Sequence, residues 1–138
     1  MKFNPKIHPD RDAIVSLLKS YPKDKPAVML NLLRFRDKAL EGTETGEEAC
    51  KRYGENAFEH VKKANEKMLY KVKVFKTLSA NHDDSPNEIL MVQYPSVQHF
   101  DDMVSTKEYA AISEDRTIAL EFGGLIACDT EYSMLDSK

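Results

Sequence analysis

Ala27-Val28-Met29-Leu30-Asn31-Leu32-Leu33 is a short apolar run with breakers on both sides. A polar connector, Lys23 to Pro26, precedes it, and a polar loop with two glycines, Arg36 to Gly46, follows. The run is of strand length and lacks apolar–polar alternation, which predicts a strand buried on both faces. Glu88 to Tyr94 repeats the pattern through Ile89, Leu90, Met91 and Val92. Two strands of this kind belong at the centre of a sheet.

Working outward, Asp10 is placed to cap a helix carrying Ile14, Leu17, Leu18 and Tyr21 at helical spacing. Pro22 disfavours helix at the residue before it. A long helix is expected from Glu47 to about Lys67, its stripe being Cys50, Tyr53, Ala57, Val61, Ala64 and Met68. Lys71 to Leu78 alternates valines with lysines, the pattern of a half-buried strand. Asn81 to Asn87 reads as a turn. Ser96 is placed to cap a helix with Val97, Phe100, Met103 and Val104 on its inner face. A further helical segment from about Lys107 aligns Tyr109, Ile112, Arg116 and Leu120. Gly123-Gly124 is expected to break it, and Leu125 to about Tyr132 to form the last strand.

After the leading helix the order is βαββαβ. That order predicts an α+β, ferredoxin-like domain with a four-stranded antiparallel sheet over residues 1–138, residues 1–26 being an N-terminal helical extension. Right-handed crossovers put the first and third strands at the centre and the lysine-bearing second strand at an edge. The helices can cover one face only. The other face still carries large apolar groups, Met29 and Leu33 or Leu30 and Leu32 according to register. An apolar face of that size predicts a homodimer packed sheet to sheet, burying about 1,600 Å². Coverage by the N-terminal helix is the alternative.

Composition narrows the class. The chain has 138 residues, 41% hydrophobic and 31% charged, with a net charge of -3. Scattered lysines and arginines give no footprint for nucleic acid, and no apolar run is long enough to span a membrane. No signal-peptide pattern is visible at the N-terminus, and the two cysteines, Cys50 and Cys128, stand far apart, so a reducing cytoplasm is expected. Glycine-rich phosphate loops, nucleophile elbows and paired-histidine zinc motifs are absent, and no cofactor or metal is expected.

Five residues interrupt apolar patterns. Arg116 shares a helix face with Tyr109, Ile112 and Leu120, so its charge needs a partner: a carboxylate such as Glu121 or Glu88, or an anionic ligand. His60 lies within the stripe of the long helix, as a general base or as a hydrogen-bonded core histidine. Asn31 breaks a central strand and must tie down a loop or face a polar cavity. Tyr53 and Tyr94 each carry an apolar body with a polar tip, suiting a pocket wall or a helix–sheet interface.

Several strings together resemble the DUF1330 family: Val28 to Phe35, Thr45-Gly46-Glu47-Glu48-Ala49 with Tyr53, and Tyr94-Pro95-Ser96. Phe100, Met103-Val104, Glu108-Tyr109, Arg116 and Leu120 complete the set. The resemblance runs from about Asp10 to Cys128 and implies a dimeric α/β barrel. Relatives of that fold include cofactor-free monooxygenases, isomerases and ligand binders, and the fold does not choose among them. The expectation is a binder of a small anionic or aromatic molecule, in a pocket between sheet and helices lined by Asn31, Tyr53, His60, Tyr94 and Arg116. The alternatives are a cofactor-independent monooxygenase or isomerase using His60 and Arg116, and a structural dimer without ligand.

Overall fold

The structure, a computed structural model, describes residues 7–40, 42–63, 66–79 and 85–135, and for residues 56–63 and 111–112 the backbone alone. Its elements run α1 (Arg11–Ser20), β1 (Ala27–Phe35), α2 (Gly46–Lys63), β2 (Lys67–Lys73), β3 (Glu88–Tyr94), α3 (Val97–Val104), α4 (Lys107–Ala119) and β4 (Leu120–Cys128). All strand pairs are antiparallel and the sheet order is β2-β3-β1-β4. The two doubly apolar runs therefore occupy the centre, and the lysine-bearing strand is an edge. This is the ferredoxin-like α+β arrangement that the element order predicts.

Local chemistry sets the helix starts. Asp10 accepts the Asp12 N–H at 3.1 Å and Ser96 accepts the His99 N–H at 3.2 Å. Thr45 and Glu48 form a reciprocal capping box, Glu48 N–H to the Thr45 hydroxyl at 3.1 Å and Thr45 N–H to the Glu48 carboxylate at 2.9 Å. All helices whose side chains enter the core do so on one sheet face. Ile14 of α1 and Phe100 and Met103 of α3 pack with Met29, Val92 and Tyr94, while Ala49 of α2 packs with Leu33 and Leu120. An ion pair between Arg11 and the mostly buried Asp101 ties α1 to α3.

Register decides what the other face carries. With Met29 and Leu33 turned to the helices, Leu30 and Leu32 point away from them. Leu30 is paired with Met91 and Ile126, Leu32 with Ile89, and across β3 the rows continue to Tyr70 and Val72. An apolar raft thus crosses the sheet, and α1 does not cover it.

Three elements differ from the sequence expectation. Helix α2 ends at Lys63, and β2 starts at Lys67 and ends at Lys73 instead of running from Lys71 to Leu78. The length of β3 limits it: Lys67 pairs with Gln93 and Lys73 with Glu88, so Phe75 and Leu78 lie beyond the ladder and are exposed. Leu69 is an extra, bulged residue between Met68 and Tyr70, and it breaks the alternation that would have marked the strand. Likewise β4 begins at Leu120, directly after α4, and ends at Cys128; Gly123 and Gly124 lie inside the strand, opposite Leu33 and Leu32. Of the turn expected from Asn81 to Asn87, residues 81–84 lie outside the described residues.

Candidate functional site

Gly46 brings the helices together around a cleft. Its N–H donates to the Arg36 carbonyl at 3.0 Å, and the Arg36 N–H donates to the Ala119 carbonyl at 2.9 Å. A Cβ on Gly46 would lie 2.2 Å from the Arg36 oxygen and 2.5 Å from the Ala119 oxygen, so only glycine permits this approach. The first turn of α2 is thereby held against the exit of β1 and the end of α4. Between α2, α4 and the helix-side face of the sheet lies a cleft of about 650 Å³. Leu33, Phe35, Met68, Leu90 and Leu120 supply its apolar wall, and Tyr53 and Arg116 border it from α2 and α4.

Arg116 is held by carbonyls and not by a carboxylate. Its Nε–H donates to the Ile7 carbonyl at 3.1 Å and its Nη2–H to the Gly123 carbonyl at 3.2 Å. The Tyr53 ring stands beneath the guanidinium, 5.9 Å from ring centre to its central carbon. The acids expected as partners are engaged elsewhere, Glu121 with Arg34 at 3.2 Å and Glu88 with Lys71 at 3.5 Å. Among the described residues no carboxylate pairs with Arg116. Gly123 makes the seat possible: a Cβ there would lie 2.5 Å from Nη2.

A second polar group lies against the inner end of Tyr53. The Tyr53 and Tyr109 hydroxyls are 2.6 Å apart. Burial pushes the Tyr109 phenol well above its ordinary value, with the neighbouring Tyr53 adding to the shift. Burial does the same to Tyr94, whose side-chain hydrogen-bond neighbour is Glu66. The Glu66 carboxyl is itself raised by burial, and its Oε2 is sealed from solvent without a hydrogen-bond partner. Cys50 borders the cleft, but burial and the nearby Glu88 push its thiol up to about 11. A thiol so disposed is a neutral wall and not a nucleophile. On the far side of Arg116, His8 and Thr117 are hydrogen-bonded at 2.6 Å, and burial and the Arg116 charge together hold the imidazole below its ordinary value.

Of the five residues singled out in the sequence, the structure brings Tyr53 and Arg116 together in the cleft. Asn31 does not border it: its amide donates to the Met29 carbonyl of its own strand at 3.3 Å. Tyr94 lies in the core with its ring edge-on to Phe100, centroids 5.2 Å apart. His60 is on α2, and its side chain lies outside the described residues. Glu66 was not marked by sequence, since it follows a helix and matches no motif. Gly123 did carry a signal, a glycine pair, which reads equally well as a helix stop. Among the described residues no cluster of three or more His, Cys, Asp or Glu side chains could hold a metal ion, and no helix is long and apolar enough to cross a membrane.

The class is thus an α+β domain of ferredoxin-like topology with a cleft between its helices and sheet. The chain belongs to the DUF1330 family, a domain of unknown function, which residues 40–127 match. Among solved structures, a protein of unknown function from Rhodopseudomonas palustris superposes with a TM-score of 0.83 at 24% identity, covering 94% of this chain and 100% of that one. A dimeric protein of unknown function and ferredoxin-like fold from Bacteroides fragilis gives 0.54 at 11% identity, covering 79% and 100%. A Bacteroides thetaiotaomicron protein provisionally described as an antibiotic biosynthesis monooxygenase gives 0.51 at 13%, covering 83% and 97%. At these identities the likeness is one of fold. No curated protein matches the chain.

Proposed function

We propose that this chain is a single domain that binds a small anionic or aromatic molecule in the cleft between α2, α4 and the sheet. The observation that carries the reading is Arg116, a guanidinium without a carboxylate partner among the described residues, at the edge of an apolar cleft. A half-buried cation is normally paired, and a ligand that supplies the missing acceptor offsets the desolvation. A cleft of about 650 Å³ also falls in the size range of small-molecule sites. Gly54 offers a clean test. It lines the cleft, and a Cβ there meets nothing within 4 Å, so Gly54→Trp adds bulk to the cleft wall without strain. Organic acids and aromatics that raise the melting temperature of the wild type should lose that effect in Gly54→Trp. A screen in which the two proteins respond alike refutes the proposed site.

The homodimer belongs to the same proposal. The raft of Leu30, Leu32, Ile89 and Met91 is left open by every described helix, and a neighbour of the same fold is dimeric. Packing two rafts together removes both from water. Met91→Lys should yield a monomer by sedimentation, and a wild-type monomer at micromolar concentration refutes the pairing.

A catalytic reading, as a cofactor-independent monooxygenase or isomerase, draws support from the hydrogen-bonded Tyr53–Tyr109 pair beside Arg116 and from one neighbour's description. His60 remains the proposed base in that reading. Equal turnover by the wild type and His60→Ala would remove it.

A further inference from the structure

We infer that the cleft takes a monocarboxylate carried on an apolar body, seated on the outer edge of the Arg116 guanidinium; this rests on the cleft being a ligand site. A guanidinium has five N–H donors in one plane. Two of them are taken by the Ile7 and Gly123 carbonyls. Three are left, including both on Nη1, for which no described residue supplies an acceptor, and the Arg116 side chain is half-buried at the cleft edge. The two carbonyls and the Tyr53 ring fix the plane of the group, so the spare donors point in a set direction. Parallel N–H donors of this kind match the two oxygens of a carboxylate.

A neutral acceptor would satisfy the hydrogen bonds but leave the charge uncompensated. A polyanion fails for the opposite reason. Arg116, Lys51 and Lys71 border the cleft, but so do Glu47, Glu55 and Glu88, and Lys71 is already bridged to Glu88. Phosphate groups are recognised by clusters of cations, and here the cations are balanced. Lys51, Glu47 and Glu55 are exposed at the rim, whereas Arg116 and Tyr53 are half-buried. Glu88 is half-buried as well, but its carboxylate is bridged to Lys71, which leaves Arg116 as the half-buried cation of the cleft with no carboxylate on it among the described residues. The wall of Leu33, Phe35, Met68 and Leu90 offers no further polar partner, so the remainder of the ligand is hydrocarbon.

The test uses calorimetric titration of the full chain with a matched set: 4-phenylbutyrate, its neutral amide, the dianion phenylsuccinate, and inorganic phosphate. The carboxylate should bind at least about tenfold tighter than the amide, a factor that corresponds to a single charge-assisted contact. Phenylsuccinate should bind no tighter than 4-phenylbutyrate, and phosphate should give no heat. In Arg116→Gln the advantage of the carboxylate over the amide should disappear. The comparison of ligands on the wild type decides the matter even if that variant does not fold. Equal binding of carboxylate and amide overturns the monocarboxylate inference and leaves the cleft as a ligand site. Preference for the dianion or for phosphate overturns it in favour of a polyanion site. Failure of every organic probe to bind overturns the ligand-site reading itself.

Discussion

Gly123→Ala tests the seat of Arg116 most directly. Glycine here is not required by backbone conformation, since its φ lies outside the left-handed region; it is required by space. An added Cβ would stand 2.5 Å from Arg116 Nη2, 3.1 Å from Leu120 Cδ1 and 3.2 Å from the Ile7 oxygen. Leu120 is fully buried and cannot swing away. The guanidinium can, because it ends a flexible side chain, but moving it gives up the bond to the Gly123 carbonyl and disturbs the one to Ile7. A hydrogen bond to a charged group contributes about 1.5–3 kcal/mol, and alanine's smaller unfolded-state entropy returns roughly 0.4–1 kcal/mol. The net loss expected is about 1–2 kcal/mol. For a chain of this size that lowers the melting temperature by roughly 3–8 °C.

Thermal unfolding followed by circular dichroism measures the loss, and a double-mutant cycle assigns it. In an Arg116→Met background the charged contact is gone, so Gly123→Ala should cost at least about 0.5 kcal/mol less than in the wild type. The same substitution should weaken carboxylate binding, since it turns the spare donors away from their direction. A Gly123→Ala chain as stable as the wild type would refute the reasoning. So would an unchanged penalty in the Arg116→Met background, which would move the cause to Leu120 or Ile7.

Other consequences are as specific. Glu66→Gln should stabilise the protein by about 1 kcal/mol at pH 7, because the sealed Oε2 is then no longer part of a charge. The folded carboxyl lies above its ordinary 4.5, so its contribution is full below pH 4.5 and is lost as pH rises through the folded value. The advantage of Glu66→Gln should therefore vanish as the pH falls to about 4.5, and a constant difference across pH would contradict the assignment. Cys50, with its thiol raised from 9.0 to about 11, should react with iodoacetamide at pH 8 about 100-fold more slowly than a free thiol. Peptide mass mapping at intervals would show it, and near-free reactivity would refute the burial argument. Gly46→Ala forces a Cβ onto two backbone oxygens that cannot rotate aside, and should cost about 3 kcal/mol or more in denaturant unfolding.

The central strands were legible because double-sided burial leaves a compositional mark: seven residues with hardly a polar member. Topology then followed from element order. Arg116 and Tyr53 were legible for a related reason, as polar groups on apolar helical faces. The partners of Arg116 were not. Backbone carbonyls are present at every residue, so no pattern of side chains announces that Ile7 and Gly123 supply the acceptors. Glu66 was invisible in the same way, since its environment is made by Tyr94 and the burial of the helix–sheet layer and not by its own neighbours in sequence.

The two places where the strand reading failed are both structural parts of the cleft. In an unbroken β2, Met68 would share the face of Tyr70, two residues on, and that face carries the raft opposite the helices. The extra residue, Leu69, turns Met68 over, pairs it with Val92 on the helix side and sets it in the cleft wall. In β4, a glycine at 123 weakens the strand pattern and suggests a helix stop, yet that missing side chain is the space in which the Arg116 guanidinium sits. Each irregularity sacrifices local regularity, and each shapes the same cavity from a different strand. Bulges and strand glycines are commonly found where a site is shaped. Two of them converging on one arginine-edged cleft favour a ligand site over a purely structural dimer, because the sheet alone requires neither.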